Sequence, residues 1–347
     1  MRNGISVYAG LDYSIQENIL LIEKAASLGM KKIFTSVQIP ETDNGESFFD
    51  DFAMIMAVGI ANNFEIIIDV NRENISDFNF DGVTLRLDDG FGISEIVELS
   101  RARKIILNAS TVTKDFLVTL ANSGADFENI SALHNFYPHL FTGLDINFFM
   151  NQNKIFHDFG ITVGAFIASL EGRRRAPFRE GLPTLEDCRN FNTDLSARFL
   201  AALDTDFIII GDGLPTDYEL ESVAMITDNE IILQAQIFTE NLIAVEMLNY
   251  IFTCRPDISK FVIRAMEGRQ ILKLLGETIE PENLIERNFG DITIDNKNFG
   301  RYVGEVQIVK NLLPADSRVN VVASILEEEK FLLRYFKPQK KFSFRLV

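Results

Sequence analysis

Short apolar runs recur along this chain, and most of them end in a cluster of polar residues. GISVYA leads to Asp12, IIIDV carries Asp69, and VTLRLDDG carries Arg86, Asp88 and Asp89. KIILNAS follows with Asn108 and Ser110, SALHNFYP with His134, Asn135 and Tyr137, and FIIIGDG with Asp212. A strand buried on both faces is a near-continuous Val/Ile/Leu run, so polar residues gather where it emerges. When strand after strand emerges carrying carboxylates, amides or an imidazole, those groups meet on one rim. A (β/α)8 barrel collects functional side chains in this way, at the C-terminal ends of its parallel strands.

The pattern predicts strands over 4–9, 31–37, 65–70, 82–88, 104–110, 130–136, 162–168 and 206–211. Helical periodicity falls between them over 15–28, 47–62, 93–101, 113–123, 144–158, 186–202 and 216–225, while the 71–81 link is too short for a full helix. This alternation favours a closed TIM-type barrel over an open doubly wound sheet. Gly29, Gly124 and Gly160 stand where helix ends need a left-handed residue. GDGLPT follows the last strand and lacks a third glycine, so it makes no dinucleotide fingerprint. The insert SLEGRRRAPFREGLPTLED, residues 169–187, breaks the rhythm on the expected rim, and a long loop there is expected to be functional, as a lid would be. Beyond about residue 228 the chain changes to short β-like runs: EIILQAQIF, KFVIRAM, GDITIDNKNF, GEVQIVKNL, RVNVVASIL and KFSFRLV. Weak helical patterns remain near 240–251 and 267–275, and DNKNFGRY has the composition of a hairpin turn. The expected architecture is α/β, with a barrel domain over 1–228 and a small β-barrel domain over 229–347. A chain of 347 residues is long enough for both.

Charge and composition exclude several functions. The net charge of −17 argues against nucleic acid and against an anionic membrane surface. No apolar stretch approaches the roughly 20 residues a membrane helix needs. The start, MRNGISVYAGLDYS, lacks the basic flank, apolar core and cleavage site of a signal peptide, which predicts a cytoplasmic protein. The two cysteines, Cys188 and Cys254, lack metal-ligand spacing and are expected to be reduced. With three histidines and no HxH, HExxH or CxxC motif, neither a metal nor an organic cofactor is expected.

The carboxylates carry the chemistry. Glycosidases commonly flank the scissile bond with two Asp or Glu residues. Asp12, Asp69, Asp88, Asp89 and Asp212 all stand at or just past strand ends. Any one of them could instead cap a helix or a turn, as Asp89 before Gly90 fits a turn, but five such residues together point to a site. Asp88 and Asp212 are the leading catalytic candidates, with Asp12 close behind. The Asp88–Asp89 pair also fits a sugar whose 2-acetamido group supplies the nucleophile, although adjacent strand residues face opposite ways. Asp69, Arg86, Asn108, His134, Asn135 and Tyr137 are candidate sugar-binding groups, and Glu180 could enter on the long loop. A local basic pocket can still hold an anion in an acidic chain, and Arg173, Arg174, Arg175 and Arg179 lie on that loop, with Arg264, Arg269 and Arg301 in the second domain.

The segments IFTSVQIPE, LRLDDGF, ILNAST, HNFYPHLFTGL, EGLPTLEDCR and IIIGD occur in the order found in the MupG-like 6-phospho-N-acetylmuramidases, which this chain resembles over essentially its whole length. VIRAMEGRQ, GDITIDNKNFGRYVGEVQI and LPADSRVNVV extend the resemblance through the C-terminal part. It implies a TIM barrel followed by a cyclophilin-like β-barrel. It also implies a cytoplasmic enzyme hydrolysing the β-1,4 bond of N-acetylmuramic acid 6-phosphate–N-acetylglucosamine in cell-wall recycling. On that reading the phosphate is expected to meet arginines of the rim loop or of the second domain, notably Arg264 or Arg301. The partner is then a phosphorylated amino-sugar disaccharide, and a homo-oligomer is left open. Two other classes fit the same residues: a phosphosugar lyase or isomerase using His134 as base, and a non-catalytic sugar-phosphate sensor.

Overall fold

The structure, a computed structural model, describes residues 3–11, 13–37, 46–75, 82–88 and 90–347. It comprises two compact units, 1–228 and 229–347. In the first, eight parallel strands close into a barrel in chain order: β1 (Gly4–Ser6), β2 (Lys32–Ser36), β3 (Glu65–Val70), β4 (Thr84–Leu87), β5 (Ile105–Asn108), β6 (Ile130–Leu133), β7 (Val163–Ile167) and β8 (Phe207–Ile210). The ring shuts where Gly4 pairs with Ile209 and Ile5 with Ile210. All eight predicted strands are present, β3 over its whole predicted span and the other seven shorter than predicted.

Around the barrel stand α1 (Ile15–Ser27), α2 (Glu46–Ala61), α3 (Ile93–Ala102), α4 (Lys114–Asn122), α5 (Ile146–Asp158), α6 (Thr193–Ala202) and α7 (Asp217–Ala224). Two start at reciprocal capping boxes, Ser14 with Glu17 at α1 and Thr216 with Glu219 at α7, which satisfy backbone N–H groups that the first turn leaves open. Gly29, Gly124 and Gly160 take the left-handed conformation just past α1, α4 and α5. The single helix expected over 186–202 is instead a 3-10 turn, Glu186–Arg189, followed by α6. Asn192 separates them by capping α6: its side chain accepts from Leu195 N at 2.6 Å.

Aromatic side chains fill much of the barrel interior. Tyr8, Phe34, Phe166 and Phe207 are buried with Ile67, Ile106, Leu133 and Ile209 in one cluster. Phe34 and Phe166 meet edge to face with centroids 5.0 Å apart, and Phe136 closes on Phe166 at 5.1 Å. Gly164 in β7 makes room for Phe207, since a Cβ there would lie 2.1 Å from the ring.

The second unit is a seven-stranded sheet formed from β9 (Ile231–Ile237), β10 (Phe252–Thr253), β11 (Val262–Arg264), β12 (Asp291–Asp295), β13 (Val306–Val309), β14 (Val319–Ile325) and β15 (Lys341–Leu346), in the order β10-β15-β9-β14-β12-β13-β11. Only β9 and β15 pair in parallel. The sheet curls until its two edges meet: Arg255 N donates to Arg264 O at 3.0 Å and Met266 N to Thr253 O at 2.9 Å. Edge strands left open invite pairing with other chains, and curling removes that hazard. Helices α8 (Leu242–Leu248) and α9 (Gly268–Leu275) fall in the two weakly helical segments. DNKNFGRY does connect an antiparallel pair, β12 and β13, but as a turn of 3-10 helix over Lys297–Tyr302.

The edge-to-face ring packing makes a direct prediction. Phe166→Ala should lower unfolding stability by about 3–5 kcal/mol in denaturant titration, because the rings around it cannot collapse into the space left.

Candidate active site

Parallel register sets the first contact of the site. Asp69 at the end of β3 pairs with Arg86 in β4, so their side chains emerge side by side and bond at 2.5 Å. Arg86 and Asp88 are two residues apart on an extended stretch, and so lie on one side of it. Asp88 N still donates to Val70 O at 3.0 Å, continuing the strand pairing. The Arg86 guanidinium, almost wholly buried, also donates through Nη2 to Asn135 Oδ1 and lies 3.7 Å from Asp88 Oδ1. Asn108, at the end of β5, donates to the same Asp88 oxygen at 3.5 Å. Ser36 donates to Asp69 from the β2 side at 3.4 Å.

Asp69, Arg86, Asp88, Asn108 and Asn135 line a cavity of about 260 Å³ that also touches Thr111 and Phe136. Asp88 keeps 35% of its side chain exposed, against 12% for Asp69 and 5% for Arg86. Asp88 is therefore the carboxylate of this cluster that a ligand can reach. A second cavity, of about 290 Å³, shares Asp88, Asn108 and Thr111 and is otherwise largely apolar, with Phe91, Leu107 and Phe116 among its walls.

His134 lies behind this rim. It is fully buried, with Nε2 2.9 Å from Asn153 Oδ1 and Nδ1 3.2 Å from Ser110 Oγ. Asn153 uses its amide N–H on Leu203 O, so its Oδ1 accepts from the ring. That assignment leaves Nδ1 to accept from Ser110, whose oxygen in turn accepts from Asn135 N at 3.0 Å. Burial pushes the imidazole down to about 4, helped by the Arg86 charge and opposed by the Asn153 bond. A neutral His134 thus fixes Ser110, and Ser110 fixes the backbone of Asn135.

Asp212 is placed differently from Asp88. It is fully buried, accepting from Ser169 N at 2.9 Å, Arg175 N at 3.0 Å and Leu182 N at 3.4 Å. Burial pushes its carboxyl up, and these bonds oppose that shift. Its bonds hold the long loop, and it does not line the Asp88 cavity. Glu219 does similar work from α7, accepting from Leu170 N at 2.7 Å and from the hydroxyls of Thr193 and Ser169 at 2.6 and 2.8 Å. A third strap is Arg189, which is buried on Glu186 and donates to the carbonyls of Tyr137, His139 and Gly181. Its hydrogen bonds bring the Glu186 carboxyl down to about 2. The insert 169–187 is therefore bolted to the barrel rather than structureless.

Two family models together match almost all of this chain. The model described as 6-phospho-N-acetylmuramidase, N-terminal, matches residues 3–225, and the one described as 6-phospho-N-acetylmuramidase, C-terminal, matches residues 231–345. The chain belongs to the 6-phospho-N-acetylmuramidase family. Among solved structures it is similar to an uncharacterized B. cereus protein, with 28% identity, 99% of each chain covered and a TM-score of 0.83. It is also similar to a conserved Enterococcus faecalis protein of unknown function, at 30% identity, covering 100% of this chain and 96% of that one, with a TM-score of 0.66. A comparison with curated proteins gives no match.

Of the other expected site residues of this family member, Tyr137 and Glu180 belong to the first unit. Tyr137 is half-buried, and its backbone N donates to Pro183 O at 3.0 Å. Glu180, also half-buried, lies on the long loop beside Pro138 and Arg175. Arg264 and Arg301 belong to the second unit: Arg264 binds Glu305 at 2.6 Å, and Arg301 stacks on the Tyr302 ring. Asp12 and Asp89 lie outside the described residues. Among the described residues no group of three His, Cys, Asp or Glu side chains could hold a metal ion, and no helix is long and apolar enough to cross a membrane. The anchoring roles of Glu219 and Arg189 escaped the sequence reading. For Glu219 a signal existed in T-x-x-E at 216–219, the capping-box pattern.

The sealed imidazole has a pH signature. Above the ordinary value of about 6.5, His134 is neutral in both folded and unfolded chains. Between there and about 4 the unfolded chain binds a proton that the folded one does not, so stability falls as pH falls. His134→Gln should shrink the loss of unfolding free energy between pH 7 and pH 4.5 by about 2 kcal/mol, measured by denaturant titration at both pH values. An unchanged loss would count against a sealed, neutral ring.

Proposed function

We propose that this protein is a glycoside hydrolase that cleaves N-acetylmuramic acid 6-phosphate from N-acetylglucosamine, in the cytoplasm, during peptidoglycan recycling. The observation that carries the proposal is Asp88: a carboxylate open to a cavity, steadied by Arg86 and Asn108, at the C-terminal ends of barrel strands. In a member of this family, such a group is suited to protonate the leaving sugar oxygen and then to activate water. Asp69, bonded to Arg86, supplies a fixed negative charge close to a developing oxocarbenium ion. Asp12 is retained as the second reacting carboxylate. Asn108, Asn135 and Tyr137 are proposed to hold the sugar, with His134 positioning Asn135 through Ser110.

Asp212 is assigned a different role, as the anchor of the loop that covers this end of the barrel. The second unit is proposed to be cyclophilin-like, which its curled seven-stranded sheet supports. A lyase or isomerase with His134 as base is disfavoured, since both ring nitrogens are engaged inside the protein.

Mass spectrometry of products tests the reaction. The purified protein should release N-acetylglucosamine from the 6-phosphorylated muramyl disaccharide and much less from its unphosphorylated twin. Asp88→Asn should lower kcat by about 10²- to 10⁴-fold with an unchanged melting temperature. Asp212→Asn should instead lower the melting temperature, because an amide N–H then faces backbone donors. Binding without turnover in the unmodified protein would favour a sensor and sink the hydrolase.

A further inference from the structure

The three consecutive arginines of the long loop do three different things. Arg173 is paired with Glu17 at 2.8 Å and packs over the Tyr13 ring. Arg174 turns back and donates through Nε to Ser169 O at 2.7 Å. The Arg175 guanidinium lies between two aromatic rings, 4.9 Å from the centroid of Phe136 and 5.2 Å from that of Tyr8. Its Nε is buried without a hydrogen-bond partner. Among the described residues no carboxylate makes an ion pair with it; the Tyr8 hydroxyl donates its proton to Gly211 O and offers its oxygen to the guanidinium, a neutral partner that leaves the charge uncompensated. Its own backbone N–H is held by Asp212, so the loop cannot swing the side chain freely.

Such a cation is costly to leave without an anion, and ring faces compensate it only partly. The unit is otherwise strongly acidic: residues 229–347 balance acidic against basic side chains, so the whole −17 excess falls within 1–228. Phe136, on which Arg175 rests, also lines the Asp88 cavity. We propose that Arg175 is the specificity-determining residue that reads an oxyanion on the substrate, its planar fork completing its hydrogen bonds on a phosphate or carboxylate group. This rests on the glycosidase proposed above. A 6-phosphate and a lactyl carboxylate share the required chemistry, and substrates lacking one or the other distinguish them.

The test compares kcat/KM of the full-length protein, Arg175→Gln and Arg175→Lys on three disaccharides: the 6-phosphorylated muramyl compound, its dephosphorylated form, and a 6-phosphorylated analogue without the lactyl ether. Arg175→Gln should lose about 10- to 100-fold on the compound bearing both anions. It should lose less than about threefold on whichever compound lacks the anion it reads, since that contact is already gone. Arg175→Lys keeps the charge without the fork and should lose an intermediate amount with the same selectivity. It also serves as the readout if Arg175→Gln does not fold. An equal loss on all three compounds, or no loss on any, overturns the proposal. If the unmodified protein cleaves none of them, the glycosidase proposal fails by itself, and calorimetry with N-acetylmuramic acid 6-phosphate decides the Arg175 role. Binding about tenfold weaker in Arg175→Gln sustains it, and equal or absent binding overturns it.

Discussion

One buried guanidinium organises the mouth of the barrel. Arg86 leaves β4 where strand pairing sets it beside Asp69, and its fork reaches Asn135 beyond β6 while lying close to Asp88. A charge with only 5% of its side chain exposed is tolerable when carboxylates and an amide surround it. Removing Arg86 would take away the cation that bonds Asp69 at the mouth. The loops after three neighbouring strands, β4, β5 and β6, are thus tied to one centre, and Asp88 is the member of that centre left reachable.

Around it, buried polar groups act as fasteners for backbone that has no strand or helix partner. Asp212 and Glu219 accept backbone N–H bonds from the long loop, while Arg189 donates to carbonyls of the loop after β6 and of the long loop itself. Irregular segments cannot satisfy their own amides, so a packed loop of this length needs such acceptors and donors. His134 belongs to the same class: its neutral ring holds the Ser110 hydroxyl that in turn holds Asn135. Residues that looked like candidate reagents in the sequence thereby become supports for the few that face the cavity.

Much of the fold was legible because parallel barrel strands announce themselves as apolar runs with polar ends. That signal located all eight barrel strands, and turn chemistry located the glycines after α1, α4 and α5. The break between Arg189 and α6 was less visible, since Asn192 is an unobtrusive cap inside a continuous helical pattern. The two-residue strand β10 was invisible, being too short to carry a period. In the candidate site, Asp69, Arg86, Asp88, Asn108 and Asn135 were all named from strand ends, and the structure brings them to one cavity. Arg175 was one of several loop arginines, and nothing local separated it from Arg173 or Arg174.

The amino-acid sequence by itself determined the architecture and the rim, because periodicity and strand-end polarity are local properties written into consecutive residues. It could not rank Asp88 against Asp212: each follows an apolar strand and stands beside a glycine-containing turn. Tertiary structure sets them apart, leaving Asp88 35% exposed and Asp212 fully buried. The difference comes from a loop some thirty residues or more away in the chain, whose amides close on Asp212 and leave Asp88 open. Which carboxylate is covered depends on contacts distant in sequence, and no pattern of neighbouring residues encodes it.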